Sequence, residues 1–170
     1  APGAEAVADG AVRMSVRLTD IVRAEMARSV LCWLATVAAD GRPNVSPKEI
    51  FCADGDDAIL IADILSPGSV RNIRANPAVC ISFIDVFRQQ GFKIAGFAEI
   101  AGPDDDAFVR WSAPLIALAG PDFPVRTAIR VTAERIERIW PPSRRFLPER
   151  SAGDALAATY AAYGVRPLDT

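Results

Sequence analysis

The sequence of 170 residues contains no histidine. Within this chain that absence excludes serine and cysteine nucleophiles activated by an imidazole base. It also excludes zinc and iron sites built on histidine, and haem held by a histidine ligand. Any chemistry must therefore come from a bound cofactor, or from carboxylate, lysine, arginine and tyrosine groups.

Cysteine is scarce as well. Cys32, Cys52 and Cys80 are the only three, and each lies within a separate apolar run. An odd number of distant cysteines is not typical of a disulfide framework or of a zinc knuckle. We interpret all three as core residues.

Long apolar runs and a strong excess of charge are also missing. No run reaches the roughly 18–20 residues that span a bilayer, and residues 1–13 lack the basic start and continuous apolar stretch of a signal peptide. We therefore expect a cytoplasmic protein that does not bind membranes. The formal net charge of −2 gives no overall attraction to nucleic acid, so we expect no nucleic-acid partner.

The composition that remains is that of an ordinary globular protein, with 51% hydrophobic and 24% charged residues. A chain of this length suffices for one domain of usual size. Residues 1–16 carry no periodic pattern at their start. We predict a disordered tail over 1–16 and a single domain over 17–170.

The apolar pattern predicts mainly β structure with flanking helices (α+β). Thr19 caps a predicted helix over 20–29, and Gly96 marks a predicted bulge. Trp33 and Phe83 are expected in the core. Strands are predicted over 30–37, 44–52, 58–64, 79–85, 92–101 and 127–140, and further helices over 66–76, 103–118 and 154–163. Hairpin connections dominate, which predicts a six-stranded antiparallel sheet closed into a barrel, and the acidic run 104–106 is expected in the first turn of its helix.

The short helix after the third strand has a start that suits an anion. Ser66 and Pro67 are a favourable N-cap and first helical residue, and Ser69 adds a second hydroxyl. Backbone N–H groups and the helix dipole at such a start favour a phosphate, and Arg71 adds charge if it points inward. An ordinary helix cap explains Ser66 and Ser69 equally well.

Three segments, taken in their order and spacing, resemble the FMN-binding split β-barrels of the pyridoxamine 5′-phosphate oxidase-related family. They are Leu-Ala-Thr-Val at 34–37 followed by Asp-Gly-Arg-Pro-Asn-Val-Ser-Pro-Lys at 40–48, Leu-Ile-Ala-Asp at 60–63 followed by Ser-Val-Arg-Asn-Ile-Arg-Ala-Asn-Pro at 69–77, and Gly-Phe-Lys-Ile-Ala-Gly-Phe-Ala-Glu at 91–99. The resemblance covers roughly residues 17–140. It implies a homodimer that holds FMN at the subunit interface.

The resemblance also implies where the flavin binds. The strand around Lys48 would lie along the flavin, the end of the next strand would contact the ring and ribityl chain, and the turn into the short helix would hold the phosphate. The implied cofactor-binding residues are Ser46, Pro47, Lys48, Glu49, Ala62, Asp63, Ile64, Ser66, Ser69, Arg71 and Asn72. The sequence assigns no catalytic residue and no metal ligand.

Two departures from the family pattern bear on function. Relatives place a basic pair, or proline and lysine, near Gly68 and Ser69, so Lys48, Arg71 or an arginine of the partner subunit must supply the phosphate's counter-charge here. Phe51 stands where the oxidase itself has a lysine, which argues against oxidation of pyridoxamine phosphate.

The function expected from the resemblance is that of a flavin-dependent oxidoreductase acting on a small molecule, with NADH or NADPH as a candidate donor. The alternatives are a non-catalytic flavin-binding or storage protein and a reductase that uses the deazaflavin F420.

Overall fold

The computed structural model describes residues 14–167. Within them the chain forms seven strands and five helices. In chain order these are α1 (Asp20–Arg28), β1 (Cys32–Val37), β2 (Pro43–Lys48), β3 (Phe51–Asp54), β4 (Ala58–Asp63), α2 (Pro67–Ala75), β5 (Ala78–Asp85), β6 (Gln90–Ala101), α3 (Phe108–Ala119), β7 (Thr127–Ile139), α4 (Ser143–Phe146) and α5 (Ala152–Tyr163).

Helix α1 begins and ends where local signals predict. The Thr19 hydroxyl accepts a hydrogen bond from the backbone N–H of Val22 at 3.4 Å, which satisfies one of the free donors of the first turn. Val22 and Met26 lie one turn apart and are both buried. The prediction of a helix over 20–29 is confirmed to within one residue.

The strands form one antiparallel sheet in the order β2-β1-β5-β6-β7-β4-β3. The antiparallel prediction is confirmed, but the number of strands was wrong: residues 44–52 form two strands rather than one. Lys48 pairs with Cys32, the first residue of β1, so the hairpin ladder ends there. After Lys48 the chain changes neighbour, and β3 pairs with β4 instead.

The connection from β2 to β3 makes the sheet roll up. These strands lie at opposite edges of the sheet, yet only Glu49 and Ile50 separate them. Three extended Cα steps span at most about 11 Å, so the two edges must be close neighbours. No strand ladder joins them among the described residues. A backbone hydrogen bond from Ala62 N–H to the Ile50 carbonyl, at 2.9 Å, continues the β3–β4 pairing into the connection. The barrel is therefore split. This confirms the split β-barrel that the family resemblance implied and corrects the closed barrel that the hairpin pattern alone predicted.

The apolar core fills the inside of this rolled sheet. Phe83 and Leu34 are fully buried there, as is Cys32. The core placement of Phe83 is confirmed, whereas that of Trp33 was wrong, because 44% of Trp33 is exposed. Side chains alternate along a strand, and β1 turns Cys32 and Leu34 inward, so Trp33 must point outward.

The bulge predicted at Gly96 is confirmed. The pairing of β6 with β7 shifts register between Ala95 and Gly96. A Cβ atom on residue 96 would overlap the carbonyl oxygen of Thr132. Glycine is therefore required by the close approach of the two backbones.

The second half of the chain departs from prediction at one helix start. Helix α3 begins at Phe108, not near Pro103, and the acidic run lies in the preceding turns. The Asp105 carboxylate accepts a hydrogen bond from Gly102 N–H at 2.7 Å, which stabilises that turn. The short helix α4 was not predicted.

The predicted N-terminal tail lies mainly outside the described residues. At its end, Val16 N–H donates to the carbonyl of Ala133 at 2.8 Å. The single domain over 17–170 stays a prediction. Within residues 14–167 no helix has the length and apolar content needed to cross a membrane.

Candidate functional site

A buried ion pair lies at the split in the barrel, between the ends of β2 and β4. Lys48 ends β2, Asp63 ends β4, and the Lys48 Nζ to Asp63 Oδ1 distance is 3.6 Å, with both side chains almost wholly buried. The same Asp63 oxygen accepts a hydrogen bond from Ser66 N–H at 2.8 Å. The Asp63 carboxylate at the end of β4 therefore contacts both the edge strand β2 and Ser66, the residue that precedes α2.

Burial dominates the electrostatics of this pair. Desolvation lowers the pKa of the Lys48 ammonium, and the nearby Asp63 carboxylate opposes that change. Cys32, paired with Lys48 in the β1–β2 register, lies in the same interior. Burial raises the pKa of its thiol to about 12, although the Lys48 charge acts in the opposite direction. Cys32 is therefore a neutral thiol at physiological pH.

A neutral polar network lies beside the ion pair and joins β1, β2 and α2. The Asn44 amide donates to the Thr36 hydroxyl at 3.2 Å and to the Ser69 hydroxyl at 3.3 Å. Asn72 donates to Thr36 at 3.0 Å, and the hydroxyls of Ser46 and Ser69 lie 3.0 Å apart. The network is only partly buried on its β2 side, where Ser46 and Asn44 are half-exposed. It presents hydroxyl and amide groups that a polar ligand could contact.

The start of α2 carries further positive charge beside the ion pair. Ser66 is the N-cap residue, but its side chain makes no capping hydrogen bond. A Cβ atom on Gly68 would lie 4.0 Å from a guanidinium nitrogen of Arg71, so Arg71 folds back over the start of the helix. A helix N-terminus and a guanidinium group both favour an anion at this place.

The structure brings most of the predicted site residues together, but not all of them. Lys48, Asp63 and Ser66 form one cluster, and Ser46, Ser69 and Asn72 belong to the adjoining network. The others are placed differently: Pro47 and Glu49 are exposed, Ala62 is buried against the Leu60 and Trp111 cluster, Ile64 is half-buried, and Arg71 is exposed at the start of α2.

Sequence reasoning missed Thr36, Asn44 and Arg126. The first two could have been found, because the Asp40-Gly41 turn sets the hairpin register and makes Thr36 and Asn44 direct partners. Arg126 carries no such signal. Its backbone N–H donates to the Asp63 carbonyl at 3.0 Å, because β7 pairs with β4 although the two segments are more than sixty residues apart.

Comparison with known proteins agrees with this architecture. The pyridoxamine 5′-phosphate oxidase family model matches residues 18–140. No curated protein sequence matches the chain.

Several solved structures share the split-barrel fold. HupZ of Group A Streptococcus is 24% identical with a TM-score of 0.61, the match covering 71% of this chain and 92% of that one. HutZ, the heme storage protein of Vibrio cholerae, is 20% identical with a TM-score of 0.58, covering 72% and 94%. An FMN-binding protein of Syntrophomonas wolfei is 17% identical with a TM-score of 0.56, covering 69% and 82%. At these identities the similarity establishes the fold.

The ion pair leads to a stability prediction. Asp63→Ala leaves the Lys48 ammonium buried without its counter-ion, and we expect the free energy of unfolding to fall by about 3–5 kcal/mol in urea denaturation. Combining it with Lys48→Met should restore part of the loss, since the unpaired charge is then gone.

Asp56→Ala is the matched control for that variant. Its carboxylate is 73% exposed and pairs with Arg17 and Arg23 at the surface, so we expect a change of about 0–1 kcal/mol. An equally small change for Asp63→Ala would contradict a structural role for the buried pair.

Proposed function

Because the chain belongs to the pyridoxamine 5′-phosphate oxidase family, we propose that it binds FMN beside Lys48 and acts as a flavin-dependent oxidoreductase on a small molecule. The observation that carries this proposal is the set of polar groups along the split in the barrel. A buried cation, a neutral network and the positive start of α2 adjoin one another there. Elsewhere, the interior that the structure describes is largely apolar.

These residues fit the parts of the cofactor. The half-exposed Ser46 hydroxyl offers a hydrogen bond to a polar ring edge, and the first turn of α2 with Arg71 suits the phosphate. Lys48 would place a positive charge near the ring, where low solvent access strengthens its interaction with negative charge. FMN, when bound, supplies an acceptor for a hydride or for electrons.

The substrate side differs from that of the oxidase. Phe51, which stands in place of the oxidase lysine, is buried in the core with its ring centroid 6.4 Å from that of Phe83. It therefore offers no polar contact to a phosphorylated pyridoxamine. We propose a different small molecule as the substrate, with NADH or NADPH as the candidate donor.

Haem is less well supported as the ligand, even though HutZ is a heme storage protein. The chain has no histidine, and cysteine binds haem iron as a thiolate. Burial raises the pKa of all three thiols, which keeps each of them protonated at neutral pH.

We propose a homodimer that brings a second subunit next to this site. The outer face of β1 and β2 carries Trp33 and Val45, which are 44% and 56% exposed, and Pro47 lies beside Trp33. Exposed apolar residues grouped in this way mark interaction surfaces. Strand β2 turns Val45 outward and Ser46 inward, so a partner covering this face lies close to the flavin site.

The first test is the absorbance spectrum of the purified protein, followed by titration with FMN and with F420. We expect a bound flavin with bands shifted from those of free FMN, and FMN bound more tightly than F420. Lys48→Met should weaken FMN binding about tenfold or more, because a hydrogen bond to a charged group is lost. Lys93→Met removes the chain's only other lysine and should leave the affinity unchanged. A protein that binds neither cofactor contradicts the proposal.

Turnover separates an oxidoreductase from a flavin-storage protein. We expect NADH or NADPH, added without oxygen, to bleach the visible band of the bound flavin. If neither nicotinamide does so while FMN stays bound, the protein stores or carries flavin, or it takes electrons from another donor.

The dimer is tested by sedimentation at micromolar concentration. Val45→Glu places a charge on the outer face of β2 and should convert the dimer to a monomer without unfolding it, since residue 45 is exposed. Val109→Glu is the matched control, because Val109 is 76% exposed on α3. We expect this variant to remain dimeric. If the unmodified protein sediments as a monomer at this concentration, the dimer proposal is wrong.

A further inference from the structure

A second cleft, which we call the α5 cleft, lies between the start of β1, the hairpin that joins β5 to β6, and helix α5. Its volume is about 510 Å³, within the range of sites that hold small ligands. An aromatic ring lines it from each of the three elements, namely Trp33, Phe87 and Tyr160. None of the residues that line it belongs to the polar groups proposed above for the flavin.

Defined contacts hold the hairpin and α5 together beside this cleft. The Asp85 carboxylate accepts hydrogen bonds from the backbone N–H groups of Phe87 and Arg88, at 3.0 Å and 3.1 Å, which fixes the turn. The Phe87 ring centroid lies 5.0 Å from that of Tyr160 and 5.9 Å from that of Tyr163, at tilted and edge-on angles that favour aromatic pairs. The Phe87 and Tyr160 rings therefore have fixed positions on the wall of the cleft.

The charged residues that line the α5 cleft already have partners of opposite charge. Arg88 Nη1 lies 3.6 Å from Asp85 Oδ2, and Arg28 Nη1 lies 3.7 Å from Glu25 Oε1. The Asp85 carboxylate is also occupied by the backbone of its own turn. A charged ligand would have to compete with these contacts, so the cleft favours an uncharged one.

The cleft also offers a free hydrogen-bond donor. Among the described residues that line it, only Tyr160 carries a hydroxyl, and that hydroxyl makes no hydrogen bond within residues 14–167. A phenol donates readily to a carbonyl oxygen. Val30 and Val86, which line the same cleft, are 81% and 46% exposed, so a bound ligand would remove apolar surface from water.

From these features we propose that the α5 cleft binds an uncharged, planar aromatic molecule that carries a carbonyl oxygen. The Trp33 and Phe87 rings pack against the molecule, and the Tyr160 hydroxyl donates to its oxygen. This site is separate from the flavin site and does not depend on the function proposed above. Trp33 also belongs to the proposed dimer face, so the variants that test the cleft lie on α5.

The test is calorimetric titration with coumarin, which has a carbonyl oxygen, and with naphthalene, which has none. We expect the unmodified protein to bind both. Tyr160→Phe removes only the hydroxyl and should weaken coumarin binding about fivefold while leaving naphthalene binding unchanged, because one neutral hydrogen bond is lost. Equal coumarin affinity in this variant and in the unmodified protein would overturn the proposal.

Tyr163→Phe is the matched control. It removes the same group from a tyrosine that contacts Phe87 but does not line the cleft, so both affinities should be unchanged. If Tyr163→Phe weakens coumarin binding as much as Tyr160→Phe does, the hydroxyl of Tyr160 has no special role and the proposed contact is wrong.

A second variant tests the place of binding. Leu156 lines the cleft one turn before Tyr160 and is half-buried, so Leu156→Trp fills part of the space. Both probes should bind about tenfold more weakly, with the unfolding midpoint showing that the variant is folded. Unchanged binding by the folded variant, or no binding of either probe by the unmodified protein, would overturn the proposal.

Repeating the coumarin titration with saturating FMN separates this site from the flavin site. We expect the same coumarin affinity with and without FMN, since the two proposed sites share no residue. Displacement of coumarin by FMN would overturn the proposal of a separate site. A protein that binds coumarin in this way but binds no flavin would support the cleft and contradict only the flavin function.

Discussion

The two-residue connection between β2 and β3 is the constraint on which the rest of the structure depends. It joins opposite edges of one sheet, so the sheet has to roll until those edges meet. No ladder completes the closure among the described residues. The side chains of Lys48 on β2 and Asp63 on β4 form a buried ion pair at this place instead. The interior is polar at this place because the barrel is split there.

Helix α2 divides this polar region into two sides of different character. Ser69 and Asn72 face β1 and β2 and form a neutral network whose members satisfy one another. Arg71 and Arg74 face the start of β7, where Arg126 joins them. Asp63 lies between the two sides, and its carboxylate forms an ion pair with Lys48.

Local signals predicted well wherever neighbours in sequence decide the outcome. The Thr19 cap, the Ser66-Pro67 start of α2 and the bulge at Gly96 were all recovered from a few adjacent residues. The predictions were wrong where contacts with other parts of the chain determine the local structure. The strand over 44–52 splits because β1 ends opposite Lys48, and Trp33 points outward because its neighbours face the core. The start of α3 was missed because Asp105 bonds its own turn instead of serving in the helix.

The sequence by itself determined the absence of imidazole chemistry, the order of helices and strands, and most of the residues that line the candidate site. Composition and short-range pattern suffice for these, since they depend on residue type and on contacts within one turn or hairpin. Only the tertiary structure decided that Lys48 forms an ion pair with Asp63, that the Ser69 hydroxyl is hydrogen-bonded to Asn44 and Ser46, and that Arg126 lies beside Arg71. Those contacts join segments far apart in the chain, and they exist only because the sheet is rolled, with its edges close but unjoined.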